Sequence, residues 1–272
     1  RNMGGGIGLA NGTTALAKGN TCFKNLRGGL GCRASSPEIR ENRSYDNVRA
    51  GIGIREGATP LVIGNECFEN RRAGIGNRMK GTAATIKNNR CYRNGMAGIG
   101  TRNQATPRIE GNECFENGMA GIGATADAQP TIIGNKVYGN KQAAIGLDPC
   151  RAGKAVIKDN EIKATTLVAI GINQGWSVES EGNKISRKGG MPPLVMVFKG
   201  AKATFTKNEF TGSGVAAIRS QGEIVVKGNT FKCPAPRKGG PPQFAVWALK
   251  GSKLEFTDDN TVEGWREAVV GP

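Results

Sequence analysis

Apolar residues along this chain occur in three short stretches that return about every 23 residues, separated by Gly, Asn or Pro. The repeated phrase Gly-Asn-x-Cys-Phe-x-Asn-x-x-Ala-Gly-Ile-Gly is clearest at Gly64–Gly76, Asn88–Gly100 and Gly111–Gly123. A fixed period of about 20–50 residues is typical of a solenoid, in which each repeat buries its apolar face against its neighbours. Because the stretches are short and show no helical period, we predict a coil of short parallel strands.

Three sets of equivalent residues define the register of this coil. One is a column of asparagines: Asn20, Asn42, Asn65, Asn89, Asn112, Asn135, Asn160, Asn183, Asn208, Asn229 and Asn260. A second is apolar: Ile7, Leu30, Ile52, Ile75, Ile99, Ile122, Ile145, Ile170, Met196, Ile218, Trp247 and Val269. A third, usually just after Pro or Ala, is also apolar: Ile39, Ile63, Ile86, Ile109, Ile132, Ile157, Val178, Phe205, Val226 and Phe256.

Equivalent residues of neighbouring turns are expected to stack about 4.8 Å apart, the spacing of strands in a sheet. Asn tolerates left-handed backbone at corners, and its amide can bond to the amide of the next turn. We therefore interpret the asparagine column as structural. The same interpretation covers a second column: Asn25, Asn47, Asn70, Asn94, Asn117 and Asn140.

The repeat Asn65-Glu66-Cys67-Phe68-Glu69-Asn70-Arg71-Arg72-Ala73-Gly74-Ile75 carries a family resemblance. It resembles the carbohydrate-binding and sugar-hydrolase repeats of the pectin-lyase-like superfamily, and the resemblance covers nearly the whole chain. It implies an all-β fold: a single-stranded, right-handed parallel β-helix of about 11–12 turns, each with three short strands. The superfamily includes lyases, hydrolases, epimerases and non-enzymatic binding proteins, so the resemblance implies no single activity.

A solenoid has no internal boundary, so residues 1–272 are predicted to form one domain. The chain begins and stops in mid-repeat, and open solenoid ends need caps. We therefore expect native caps, or a leader, to be absent from this sequence. No apolar run has membrane-spanning length and no signal peptide is present. A polysaccharide-related function would place the protein outside the cytoplasm: extracellular, periplasmic or at the cell surface.

The chain has seven cysteines and no histidine. Cys22, Cys67, Cys91 and Cys114 occupy one inward column, which Ser44 interrupts. Stacked Cβ vectors run parallel and suit a disulfide poorly, so these thiols are interpreted as small buried apolar groups. Three cysteines off this column are candidate exposed thiols: Cys32, Cys150 and Cys233. No cofactor and no metal site is predicted, and the residues give no support for Ca²⁺.

The net charge of +16 favours a polyanionic partner, although charge can also serve solubility. Arginine is concentrated early, with 14 of 19 before residue 110. The residue three positions after each column isoleucine is predicted to point outward. It reads Arg33, Arg55, Arg78, Arg102, Thr125, Asp148, Asn173, Lys199, Gln221 and Lys250. A second arginine file precedes the same strand: Arg27, Arg49 and Arg72.

Two glycine columns lie between these files and are predicted to face outward: Gly29, Gly51, Gly74, Gly98 and Gly121, and Gly31, Gly53, Gly76, Gly100 and Gly123. Gly weakens a strand, so these bare positions suggest the floor of a trough for an extended acidic polysaccharide. Arg suits carboxylates and sulfates because its planar fork binds them bidentately. The alternative is plain architecture, with Gly serving turn geometry and Arg pairing with nearby Glu. The few aromatic residues are interpreted as facing inward, which gives no sugar-stacking platform.

Catalytic residues are sparse in this sequence. The segment Gly146-Leu147-Asp148-Pro149-Cys150-Arg151 resembles the Asp-Pro-His-Asp stretch of mannuronate C5-epimerases. Cys150 and Arg151 replace its histidine and second acid, which removes a proton-transfer partner. If the protein is a lyase or a uronate epimerase, the candidate residues are Asp148, stabilising charge, with Arg102, Asp127 and Arg151 as base or clamp.

Two loops of similar sequence, Arg187–Pro193 and 237–242, are predicted to overhang one face of the coil. They support an alternative function, a non-catalytic structural or protein-interaction solenoid that uses the loops as its contact. Nucleic acid is a less favoured polyanion, because no aromatic residues are interleaved with the basic ones. The sequence leaves the oligomeric state open.

Overall fold

The computed structural model describes residues 2–164, 167–234 and 243–271. Every regular element within these ranges is a strand, and the 34 strands form three parallel sheets. Each turn of the chain contributes one strand to each sheet in succession, and each strand pairs with the equivalent strands of adjacent turns. The predicted all-β coil of parallel strands is confirmed.

Sheet A has twelve strands: β1 (Ile7–Ala10), β4 (Leu30–Arg33), β7 (Ile52–Arg55), β10 (Ile75–Arg78), β13 (Ile99–Arg102), β16 (Ile122–Thr125), β19 (Ile145–Leu147), β22 (Ile170–Ile172), β25 (Val195–Val197), β28 (Ala216–Ser220), β31 (Phe244–Ala248) and β34 (Glu267–Val270). Sheet B has eleven: β2 (Leu16–Lys18), β5 (Glu38–Arg40), β8 (Leu61–Ile63), β11 (Thr85–Lys87), β14 (Arg108–Glu110), β17 (Thr131–Ile133), β20 (Gly153–Lys158), β23 (Trp176–Glu181), β26 (Lys202–Thr206), β29 (Glu223–Lys227) and β32 (Lys253–Phe256). Sheet C also has eleven: β3 (Thr21–Phe23), β6 (Arg43–Tyr45), β9 (Glu66–Phe68), β12 (Arg90–Tyr92), β15 (Glu113–Phe115), β18 (Lys136–Tyr138), β21 (Glu161–Ala164), β24 (Lys184–Arg187), β27 (Glu209–Thr211), β30 (Thr230–Lys232) and β33 (Thr261–Glu263).

The core consists of like residues stacked between the sheets. Cys67, Cys91 and Cys114 are register partners in sheet C and are fully buried. All seven cysteines are free thiols, as the parallel stacking predicted. The expectation of exposed thiols off this column is wrong for Cys32, an inward position of strand β4, and for Cys233, which is buried directly after strand β30. Cys150 is partly exposed.

Both asparagine columns form continuous amide ladders. In each, the side-chain Nδ2 donates to the Oδ1 of the next turn at 2.8–3.0 Å. The structural interpretation is therefore confirmed. The left-handed backbone lies one residue earlier than expected, for example at Glu41 before Asn42 and at Asp159 before Asn160. The preceding residue makes the turn, which leaves each Asn free to point its amide inward.

Four assignments in the apolar columns are wrong by one or two positions. The register places Val62 rather than Ile63, Ser180 rather than Val178, Val195 rather than Met196, and Val246 rather than Trp247 in the inward columns. At Val62, Val195 and Val246 the reason is an adjacent apolar residue, because hydrophobicity alone does not fix the phase of a strand. At Ser180 the column residue is polar, whereas Val178, two residues earlier, is also buried. The outward file of sheet A accordingly continues with Phe198 and Leu249, not Lys199 and Lys250, as shown by the bonds Phe198 N to Ile172 O and Leu249 N to Ser220 O.

The prediction that the aromatic residues face inward is wrong for six rings of sheet C, although Phe210 and Phe231 of the same sheet are buried. Six rings alternate with the buried cysteine column and stack along its outer face at 4.7–5.3 Å: Phe23, Tyr45, Phe68, Tyr92, Phe115 and Tyr138. Beside them, Arg43, Glu66, Arg90 and Glu113 form ion pairs of 2.9–3.4 Å. Because each ring covers its neighbour's faces, this stack presents mainly ring edges to solvent. It stabilises the solenoid and offers little platform for a sugar.

Candidate functional site

The four predicted arginines of the first file lie side by side on sheet A. Arg33, Arg55, Arg78 and Arg102 are register partners in four consecutive turns. Arg33 and Arg102 are exposed, and Arg55 and Arg78 are partly buried. Parallel pairing brings their Cα atoms to roughly 4.8 Å separations along the solenoid, so this surface concentrates positive charge in a line.

Acidic side chains neutralise only part of this line. Glu56 lies 3.6 Å from Arg33 and 3.3 Å from Arg55, measured from carboxylate oxygen to Nε. No carboxylate among the described residues lies within salt-bridge distance of Arg78 or Arg102. Burial lowers the pKa of Arg78, and the charges of Arg55, Arg102 and Arg49 lower it further. A bound anion would relieve this repulsion.

The second file runs along the corner that leads into sheet A. Arg27, Arg49 and Arg72 are exposed. The Arg49 backbone N donates to Arg27 O at 3.1 Å, and Met96 N donates to Arg72 O at 3.2 Å, so the arginines occupy equivalent turns. Because Arg49 contributes to the pKa shift of Arg78, the two files are within electrostatic range of each other.

The prediction that both glycine columns face outward is wrong for one of them. A Cβ at Gly74 would lie 2.7 Å from Gly98 O and 2.9 Å from Asn94 Nδ2, and Gly51 and Gly98 have equivalent contacts. These positions, with Gly29 and Gly121, point into the asparagine ladder. Gly is required there because the ladder leaves no room for a methyl group.

The other column is open and longer than predicted. Its register partners, which we call the glycine lane, are Gly8, Gly31, Gly53, Gly76, Gly100, Gly123, Gly146 and Gly171. None has a positive φ, and a Cβ at Gly76 or Gly100 would meet its nearest atom at 3.8 or 3.7 Å, an ordinary contact. Neither backbone conformation nor crowding requires Gly at Gly76 or Gly100, although at Gly146 a Cβ would lie 3.3 Å from Ala120 Cβ. The lane is therefore a surface kept free of side chains for another reason.

The four candidate catalytic residues are only partly brought together. The Asp148 backbone N donates to Ala124 O, so Asp148 continues the arginine file two turns beyond Arg102, after Thr125. Asp148 is an exposed residue whose carboxyl nevertheless lies close to surrounding protein, and this desolvation raises its pKa. Asp127 instead accepts hydrogen bonds from the backbone N of Arg151 (2.8 Å) and Ala152 (2.9 Å). The bonds from Ala152 and Arg151 lower the Asp127 pKa. Asp127 therefore holds a loop in place.

The first of the two predicted contact loops is folded onto the solenoid. The buried Arg187 guanidinium donates to the backbone oxygens of Leu167, Pro192 and Pro193. The guanidinium therefore links the segment at Leu167 to the segment at Pro192 and Pro193, and it is not available to a partner. The second loop, 237–242, lies outside the described residues.

Other surfaces offer weaker candidates. A shallow depression of about 620 Å³ lies on sheet B, but its lining carries both signs of charge, including Lys154, Glu179 and Lys202. No cluster of three His, Cys, Asp or Glu side chains within residues 2–164, 167–234 and 243–271 could hold a metal ion. In the same ranges, no helix has the length and apolar character that crossing a membrane requires.

The parallel register and the repeat define the class of this protein as a β-solenoid. The family model "Right handed beta helix region" matches residues 1–83 and 76–192, and the chain belongs to that family. No curated protein sequence matches it. The A-module of Azotobacter vinelandii mannuronan C-5 epimerase AlgE6 is similar in structure, with a TM-score of 0.55 and 14% identity over 98% of this chain and 81% of that one. The A-module of the Azotobacter vinelandii epimerase AlgE4 gives a TM-score of 0.48 and 12% identity over 98% and 79%.

Proposed function

We propose that this β-helix recognises an acidic polysaccharide along sheet A. The observation that carries the proposal is the glycine lane beside the register-aligned Arg33, Arg55, Arg78 and Arg102. A bare lane admits an extended chain close to the backbone, and a line of guanidiniums meets negative groups that repeat along that chain. The ligand lies parallel to the solenoid axis.

The electrostatics favour a ligand with regularly spaced carboxylates or sulfates. Arg78 and Arg102 are the strongest anchors because no carboxylate of the described residues lies within salt-bridge distance of either. Each bound anion also separates two positive charges that otherwise repel. Arg49 precedes strand β7, its charge acts on that of Arg78, and it offers the ligand a second cation.

The structural relative with the TM-score of 0.55 is named as an epimerase of mannuronan, a polymer of an acidic sugar. Its name fits the chemistry proposed for the lane, and the fold supplies the long flat face that such a polymer needs. Acidic polysaccharides are components of cell surfaces and matrices. We accordingly propose an extracellular, periplasmic or cell-surface location.

Processing of the bound chain is an extension of this proposal. Asp148 lies in the continuation of the arginine file, and desolvation raises its pKa. Abstraction of the C5 proton of a uronate gives a carbanion next to its carboxylate. In the lyase outcome the C4–O bond breaks, the departing oxygen takes up a proton and a C4=C5 double bond remains; in the epimerase outcome C5 takes up a proton on its opposite face. Arg102 and Arg151 would act as base or clamp, with Asp148 stabilising charge. Ultraviolet absorbance tests for the unsaturated product and proton NMR tests for the epimer.

Calorimetric titration with polygalacturonate, polymannuronate and a sulfated glycan tests recognition. The proposal predicts salt-sensitive binding to at least one of them, lost in the double variant Arg78→Ala, Arg102→Ala. Arg93→Ala is the matched control, because Arg93 lies on sheet C and pairs with Glu116 at 2.8 Å. The absence of binding to all three polymers would refute the proposal.

A non-catalytic solenoid that binds a protein is the alternative function. It predicts that Arg78→Ala leaves partner binding intact and that deletion of residues 188–191 removes it. Nucleic acid remains the less favoured polyanion, since the stacked rings on sheet C cover one another's faces and are not free to stack on bases. A single-stranded oligonucleotide in the same titration distinguishes a general polyanion site from a glycan site.

A further inference from the structure

We infer that the lane is closed at its C-terminal end and therefore takes the end of a polysaccharide chain, not an internal stretch. This inference rests on the proposed function and adds the part of the substrate that the site selects. It follows from what replaces glycine in the last turns of sheet A, from the burial of the lane, and from the residues that follow Arg102 in the arginine file.

The glycine lane stops abruptly after Gly171. The next register partners in the same outward position are Met196, Arg219, Trp247 and Val270. The Arg219 guanidinium carbon lies 4.7 Å from the Trp247 ring centroid, and the Trp247 and Phe244 rings are 5.8 Å apart. Bulky side chains packed against one another thus occupy the line that a continuous ligand would follow.

Burial along the lane changes in the same direction. Gly8 and Gly31 are exposed, and the next five glycines are partly exposed. Gly171 is buried and Met196 is only 8% exposed, although both lie on the outer side of the sheet. Protein therefore covers the outer side of the lane already at Gly171, one turn before Met196 replaces glycine.

The loop that leads into this end is fixed by hydrogen bonds, and a Cβ at Gly171 would lie 3.5 Å from Val168 Cγ2. Arg187 donates to the backbone oxygens of Leu167, Pro192 and Pro193, all in the segments that lead into strands β22 and β25. Val215 N donates to Met191 O at 2.9 Å, which attaches the loop to the following turn as well. Since β22 carries Gly171 and β25 carries Met196, these attachments make the closed end a fixed part of the fold.

The side chains beside the closed end suit hydroxyl groups better than acids. After Arg102 the file continues with Thr125, Asp148, Asn173 and Phe198. Asp148 can accept hydrogen bonds from sugar hydroxyls and repels carboxylates, and Phe198 is 38% exposed, with no ring stacked on it among the described residues. The terminal sugars are thus bound through hydroxyls and a ring face, while acidic groups further along the chain meet Arg102 and Arg78.

Saturation stoichiometry distinguishes the two modes of binding. We would titrate the protein into a narrow polyuronate fraction that binds it, and into a fraction of the same polymer several times longer. End recognition predicts one protein per chain at both lengths. If the number bound per chain rises in proportion to length, the inference is wrong while the proposed function stands. If neither fraction binds, the proposed function fails.

Opening the lane supplies a second test that does not depend on the native stoichiometry. The triple variant Met196→Gly, Arg219→Gly, Trp247→Gly is expected to allow several proteins per long chain, without loss of affinity for the short one. Val225→Gly is the matched control, since it removes an outward apolar side chain from sheet B in the same half of the solenoid. Thermal unfolding shows whether each variant is folded. A folded lane variant that still binds one protein per long chain would overturn the inference.

Discussion

Arg78 and Arg102 are register partners in adjacent turns of sheet A, and neither has a carboxylate within salt-bridge distance among the described residues. We expect Arg78→Ala to weaken polyuronate binding by about 1.5–3 kcal/mol, the range for a hydrogen bond to a charged group. Stability should stay within about 0.5 kcal/mol of the parent, because the substitution also removes repulsion. Parallel calorimetry and urea unfolding measure both quantities. A large loss of stability with unchanged binding would assign Arg78 a structural role.

The two glycine columns give opposite predictions for neighbouring positions. Gly100→Val should preserve stability, because a Cβ there has an ordinary 3.7 Å contact, and should abolish binding by filling the lane. Gly98→Ala should destabilise the fold, because its Cβ would lie 2.7 Å from Gly121 O. Denaturant midpoints and binding titrations on both variants provide the check. Full binding by Gly100→Val would show that the lane is not occupied by the ligand.

A rung of the asparagine ladder should be costly to remove. Asn89 Nδ2 donates to Val62 O, Lys87 O and Asn112 Oδ1 at 2.9–3.0 Å. Asn89→Ala removes these three bonds and also the Asn89 Oδ1 that accepts from the backbone N and Nδ2 of Asn65 at 2.8 and 2.9 Å. We expect a loss of about 2–4 kcal/mol in the free energy of unfolding. Exposed Gln142, whose φ is not positive, is the control, with a change within about 0.5 kcal/mol on conversion to Ala. Equal effects at the two positions would contradict the structural interpretation of the ladder.

Asn77 lies in the core but has no hydrogen-bond partner among the described residues, and its neighbour Thr101 is in the same situation. Asn77→Val removes an unsatisfied amide while keeping a similar volume beside Ile54. We expect the free energy of unfolding to rise by about 1–3 kcal/mol. Urea unfolding measures the change, and a destabilised variant would show that the amide has a partner in solution.

Two tyrosines of the aromatic stack should ionise at a higher pH than an unfolded tyrosine does. Burial and the hydrogen bond to Glu66 raise the pKa of Tyr92 to about 12, and burial and the hydrogen bond to Glu113 raise that of Tyr138 to about 12. An unfolded phenol ionises near pH 10. Because the folded pKa is the higher one, this contribution to stability is full below about pH 10 and is lost as pH rises toward 12. Tyrosinate absorbance should show two late-titrating groups, one of them absent in Tyr92→Phe. Titration of every tyrosine near pH 10 would contradict the prediction.

The repeat period made the fold predictable from sequence, because a 23-residue unit with three apolar stretches must bury each stretch against its neighbours. The phase of individual strands was less predictable where two apolar residues adjoin, as at Val62 and Ile63 or Val195 and Met196. In such places a one-residue shift exchanges the inner and outer faces, and only backbone pairing distinguishes them. The aromatic stack did have a sequence signal, since each ring from Phe23 to Tyr138 follows a residue of the inward cysteine column.

The arginine file was predictable because it lies at a fixed offset from a long run of isoleucines. The sequence alone could not show which glycine column faces inward and which faces outward, because Gly98 and Gly100 flank the same isoleucine. Their different roles depend on whether a Cβ would meet the asparagine ladder or open space, which requires coordinates. The local role of Asp127 was also hidden, because its partners are backbone N–H groups 24 and 25 residues away.

A crystal structure with a uronate oligosaccharide of the polymer that binds best would locate the ligand. We predict density for an extended chain over Gly76, Gly100 and Gly123, with carboxylates at the guanidiniums of Arg78 and Arg102 and one chain end stopped before Met196. An oligosaccharide bound on sheet B or sheet C, with the glycine lane empty, would contradict this prediction.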